Sequence, residues 1–125
     1  MMVGTKLVLC ERKPLMPTQE FMKILNCAAT SENKGEMCDK YLNCTRLMPQ
    51  KYQAAYIECV PIYNPDGIGQ CTKTEELYHS EDAREKIYSC IIKMVDTKKL
   101  TESELDQMTI FQDCLRNLKC SKKEL

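Results

Sequence analysis

Apolar side chains recur along this chain at intervals of three and four, the period of helices that bury one face. Residues 18–28 place Phe21, Ile24, Leu25 and Ala28 on one stripe, after Pro17 and the N-cap candidate Thr18. Residues 35–47 carry Met37, Cys38, Tyr41 and Cys44 at helical spacing, with Met48 just beyond. Pro49 then suits the first position of a third helix, where a missing N–H costs nothing. That helix presents Tyr52, Ala55, Tyr56 and Cys59, and Pro61 is expected to end it. Ser80 caps a segment bearing Ala83, Ile87, Cys90, Ile91 and Met94. Thr101-x-x-Glu104 is a capping box directly before Leu105, Met108, Phe111, Cys114, Leu115 and Leu118. Residues 61–70 form the clearest loop, in which Asn64-Pro65-Asp66-Gly67 fits a type I turn. Thr72-x-x-Glu75 reads as a further capping box and predicts a short helical turn through Tyr78. Nothing alternates long enough for a strand. The pattern predicts an all-α fold, a compact bundle of about five short helices.

Cysteine adds covalent constraint to that picture. The nine cysteines stand at 10, 27, 38, 44, 59, 71, 90, 114 and 120, and none forms a C-x2-C pair of the kind zinc knuckles use. Free thiols at this density are an oxidation hazard, whereas paired ones staple a small fold. The odd count leaves one over. Cys10, in a segment without helical pattern, is the expected unpaired residue, or the site of a disulfide-linked dimer. Cys27, Cys38, Cys44, Cys59, Cys71, Cys90, Cys114 and Cys120 are then expected to form four bridges. Cys38 and Cys44 lie about 9 Å apart along a continuous helix and face about 120° apart, too far to join each other. Each should tie its helix to a different neighbour, and the connectivity stays open. Cys27, Cys59 and Cys90 recur at near-equal spacing. A degenerate repeat and similar helix lengths both fit, and the apolar positions do not recur with them, so a solenoid is not expected. The chain divides into an N-terminal extended segment, 1–16, and one disulfide-stapled domain, 17–125.

Lysine plus arginine total 18 and aspartate plus glutamate total 18, so the formal charge is zero. No basic field exists to hold nucleic acid, and no run approaches the length of a membrane span. The N-terminal apolar stretch Leu7 to Cys10 is too short for a secretory signal core, so a removed signal is expected on a secreted chain. Asn43-Cys44-Thr45 is an N-glycosylation sequon. The final Lys122-Lys123-Glu124-Leu125 has lysine where an ER-retention tail has its acidic third-from-last residue.

Catalytic chemistry finds few footholds. His79 is the single histidine and reads as a solvated loop side chain. Glu75-Glu76, Glu81-Asp82 and Glu102 with Glu104 are read as first-turn carboxylates that meet helix dipoles. No calcium loop, phosphate cradle or histidine cluster is present in the sequence, so no metal, cofactor or catalytic residue is assigned. What remains is binding. Tyrosines 41, 52, 56, 63, 78 and 88 and methionines 22, 37, 48, 94 and 108 could line an inter-helix cavity, although each taken singly is better explained as core filling. Met37, Tyr41, Tyr52, Tyr56 and Tyr88 lie on or beside the inward stripes and are the candidate ligand contacts.

One cysteine per helix, the close Cys38/Cys44 pair and Leu100-Thr101-x-x-x-Leu105 leading to Cys114 resemble small secreted helical proteins of arthropods. The resemblance covers residues 17 to 120 and is to odorant-binding-like proteins and, more distantly, tick microplusin-type antimicrobial proteins. Insect odorant-binding proteins usually space the second and third cysteines as C-x3-C, whereas five residues separate Cys38 from Cys44 here. Copper chelation of the microplusin type needs histidines that this chain lacks. The resemblance implies a secreted, non-enzymatic carrier of a small hydrophobic molecule. The alternative is a secreted venom, salivary, silk-associated or defence protein whose surface, with loop 61–70 as the candidate patch, meets a protein partner.

Overall fold

A computed structural model describes residues 14–120. Cys10, the sequence before it and the C-terminal Lys122 to Leu125 lie outside the described residues. Five helices follow in order: α1 Thr18–Thr30, α2 Lys34–Thr45, α3 Gln50–Tyr63, α4 Glu81–Met94 and α5 Glu102–Arg116, with a 3-10 turn at Thr97–Lys99 before α5. No strand occurs among the described residues, and the architecture is all-α. Helix α3 packs chiefly on α4, α1 on α2 and α4, and α2 on α5. Leu25, Ala28, Tyr41, Cys44, Tyr52, Ile87, Phe111 and Leu115 meet in the core.

The helix ends show where local signals prevail. Ser80 Oγ accepts from the Ala83 N–H, and Thr101 and Glu104 exchange both bonds of a capping box. Thr18 does not cap α1. Pro17 occupies that position, and the Thr18 hydroxyl instead meets the Tyr88 hydroxyl at 3.2 Å. Pro49 likewise sits at the N-cap of α3, where its carbonyl accepts from Tyr52 and Gln53. Pro61 does not end α3, which runs on to Tyr63. In a last turn it removes only the bond to the Ile57 carbonyl, and both residues face solvent, where water can replace it.

The segment between α3 and α4 corrects a second expectation. The Gly67 N–H closes the expected turn on the Asn64 carbonyl at 3.1 Å. Thr72 to Tyr78, however, forms no helical turn. Thr72 and Glu75 exchange backbone bonds of 2.9 and 3.4 Å, and the Tyr78 N–H returns to the Ile68 carbonyl at 2.5 Å. Cys71, Tyr78 and His79 adopt positive φ, which a helix forbids. Gly69 is obligatory here: at φ 91° a Cβ would collide with the Glu76 carbonyl oxygen. Glu75 and Glu76 therefore do not serve a helix dipole. Glu75 accepts from the Gln70 N–H, and Glu76 pairs with Arg84. His79 is a latch as well as a loop residue, because its Nε2 lies 2.8 Å from the Gly67 carbonyl oxygen.

Four disulfides join the elements: Cys27–Cys120, Cys38–Cys71, Cys44–Cys114 and Cys59–Cys90. Cys38 and Cys44 diverge as the helical geometry requires, one to the 64–80 loop and the other to α5. Cys59 and Cys90 join each other, so their spacing marks neighbouring helices rather than repeat units. Polar ties reinforce the frame. Arg116 on α5 forks onto both Glu20 oxygens of α1 at 2.7 and 2.9 Å. Arg84, 2 % exposed, donates to Asn26 of α1, to the Leu77 carbonyl and to Glu76. It thus fastens α4 and the long loop to α1.

Replacing both Cys44 and Cys114 by alanine should lower unfolding free energy by about 2–5 kcal/mol. Chemical denaturation under non-reducing conditions checks this, and an unchanged midpoint would show that the bridge does not constrain the fold.

Candidate functional site

The helices do not close on one another completely. A cavity of about 240 Å³ lies between them. Its wall is overwhelmingly apolar: Phe21 and Leu25 from α1, Met48 before α3, Ile87 and Ile91 from α4, and Met108 and Phe111 from α5. Exposed Ile92 and Thr97 mark its opening to solvent. On another side Leu15 and Met16 lie across it. That extended strap is tied by buried Gln112, whose Oε1 accepts from the Met16 N–H at 2.8 Å and whose Nε2 donates to the Pro14 carbonyl at 3.2 Å.

Tyrosines supply most of the polar points on this wall. Tyr41, Tyr52, Tyr56, Tyr78 and Tyr88 all line it. The Tyr56 and Tyr78 hydroxyls bond each other at 2.5 Å, with their rings edge to face. Phe21 stacks on Tyr88 at 4.8 Å and meets Tyr41 edge-on at 6.5 Å. Burial pushes the Tyr41 phenol well above its ordinary pKa, with neighbouring Tyr56 adding to the shift. Burial likewise raises Tyr78, beside Tyr41 and Tyr56, while the Tyr78 hydrogen bond partly offsets the rise at Tyr56. Tyr52 is raised by burial and then by Tyr88. All four are neutral donors at physiological pH. Arg84 brings the wall's cation, but Glu76 already faces it at 3.1 Å.

A family model described as Hi1a-like, U10-hexatoxin-Hi1a, matches residues 15–123. The chain belongs to the Hi1a-like family. All eight disulfide-bonded cysteines of this Hi1a-like chain fall within the matched span. The family is one of cysteine-rich spider-venom toxins, so the arthropod, cysteine-rich character stands. It is a different family from the odorant-binding-like proteins that the sequence resembles. No curated protein and no solved structure gives a significant match.

Four of the five residues expected to share a cavity, Tyr41, Tyr52, Tyr56 and Tyr88, are brought together in this Hi1a-like fold. Met37 is not. It is buried in the core, away from the cavity wall, because it lies one helical turn before Tyr41 on α2. Asn43 stands exposed on α2, while Thr45 of its sequon is buried and donates to the Leu42 carbonyl. Sequence reasoning missed Phe21, Arg84 and Gln112 as wall residues. A signal existed for the two polar ones: Arg84 shares the stripe of Ile87 and Ile91, and Gln112 that of Met108 and Leu115. Among the described residues no cluster of three or more potential metal ligands forms.

The raised phenols set a pH dependence. A folded-state pKa above the unfolded value near about 10 favours the protonated phenol, so this stability is complete below that pH and declines above it. Phenolate absorbance of Tyr41, Tyr52, Tyr56 and Tyr78 should therefore appear together with loss of helical circular dichroism as alkali is added. Ionisation of these four near pH 10 in fully helical protein would contradict their burial.

Proposed function

We propose that this Hi1a-like chain is a secreted, non-enzymatic venom-type protein that acts through surface contacts with a protein target. The observation that carries the reading is the family match across residues 15–123. The four disulfides support export, since such bridges persist in oxidising compartments. The surface offers a suitable face. Ile57, Ile62 and Tyr63 of α3 and Met94 of α4 are exposed at 67, 63, 37 and 52 %. Tyr63 and Met94 share a shallow groove with Asp82, Lys86 and Lys93, an apolar centre with a charged rim of the kind protein interfaces use. Ile62 and Tyr63 lead directly into the 64–67 turn, so this face includes part of the loop that the sequence singles out.

Fluorescently labelled, fully oxidised protein should bind arthropod tissue membranes saturably, with competition by unlabelled protein and loss after protease treatment of the membranes. A double Ile62→Ser, Tyr63→Ser variant should bind about tenfold more weakly, as expected for central apolar contacts. Binding that never saturates, or that survives protease treatment, would count against a protein target.

A second reading rests on the 240 Å³ apolar cavity: the fold also carries a small hydrophobic molecule between its helices. Interior apolar space with few polar groups is the usual form of such sites. Surface recognition and cargo are compatible, because the exposed α3–α4 groove and the cavity use different residues.

A further inference from the structure

Two hydroxyls on the cavity wall, those of Tyr41 and Tyr52, bond no described residue, and burial acts more strongly on Tyr41. Tyr41 is 4 % exposed and lines the cavity, yet its hydroxyl makes no hydrogen bond with any described residue. It is not sealed in packing either. The sealed, unpaired side-chain oxygen among the described residues is Asn64 Oδ1. The Tyr41 hydroxyl therefore opens onto the cavity space. The Tyr56 and Tyr78 hydroxyls bond each other, and neither bonds Tyr41. A buried polar group of this kind is stabilised by a partner that enters with a ligand.

Charge then narrows the ligand. The cation on the wall, Arg84, already meets Glu76, Asn26 and the Leu77 carbonyl. An added carboxylate would be desolvated without an unpaired cation to receive it. A neutral oxygen, by contrast, asks only for the hydroxyl that is present. Size narrows it further. A dry cavity of about 150 Å³ takes benzene, and on that scale 240 Å³ takes about ten non-hydrogen atoms.

We infer that the cavity binds an uncharged, largely hydrocarbon molecule of about ten heavy atoms bearing one alcohol or carbonyl oxygen, which the Tyr41 hydroxyl receives. This rests on the cargo reading above. It makes Tyr41 the residue that selects an oxygenated ligand over a plain hydrocarbon.

Isothermal titration of the oxidised protein at neutral pH with naphthalene, 1-naphthol, 2-naphthol and 1-naphthoate tests both levels. Naphthalene should saturate one site per chain, and at least one naphthol should bind about fivefold tighter. Naphthoate should bind at least roughly tenfold more weakly than that naphthol. Tyr41→Phe keeps the ring and should abolish the preference, so that naphthol and naphthalene bind alike. Tyr52→Phe, which removes the other unbonded hydroxyl of the wall, should retain the preference. Failure of every compound to bind would overturn the cargo reading itself. Naphthalene binding without a naphthol preference, or a preference lost in Tyr52→Phe and kept in Tyr41→Phe, would overturn the role of Tyr41. Tighter binding of naphthoate would overturn the uncharged class.

Discussion

The four disulfides are the constraint on which the rest of this molecule depends. A helical domain of this size normally has net stability of only about 5–15 kcal/mol. Enclosed voids cost about 24 cal/mol per Å³, so a fully closed cavity of 240 Å³ would cost about 6 kcal/mol. Weak contacts alone would favour collapse onto such a space. The bridges act at two levels. They restrict the unfolded chain, and they fix where helices stand: Cys44–Cys114 spaces α2 from α5, and Cys59–Cys90 fixes α3 on α4.

Covalent ties would still leave the α3–α4 pair free to slide over the other helices. Cys38–Cys71 reaches only the connecting loop. Arg84 supplies the missing link, since it spans from α4 to Asn26 of α1 and to the loop carbonyl of Leu77. A buried guanidinium is costly to desolvate, and here each bond it makes fastens a different segment. Gln112 does the same for the strap at Pro14 to Met16. The helices around the chamber are thus held by sulfur bridges away from its wall and by two buried polar side chains on it, Arg84 and Gln112.

Much of the fold was legible in the sequence because its signals are local. The stripe Phe21, Ile24, Leu25 and Ala28 and the capping box at Thr101 and Glu104 determine helices through neighbours three or four residues away. The divergence of Cys38 from Cys44 followed from helix geometry alone. The same locality explains the failures. Thr72-x-x-Glu75 has the composition of a cap, yet the Cys38–Cys71 bridge and the Ile68 to Tyr78 return bend it into a turn. Pro61 looks like a stop, but its place in the last turn on the solvent face makes its missing N–H cheap. For the site, helical stripes identified inward residues without telling a packed interior from a hollow one. Tyr41 and Met37 have equal claims by periodicity, and only the placement of α1 and α5 decides which meets open space.

The central claim is that cross-linked helices maintain an apolar chamber rather than a filled core. Diffraction from crystals of the oxidised protein pressurised with xenon tests it most directly, because xenon enters dry apolar cavities and is conspicuous in electron density. The account predicts xenon between Phe21, Tyr41 and Phe111, with the surrounding side chains essentially unmoved. A xenon-free interior in which those rings meet in direct contact would contradict it.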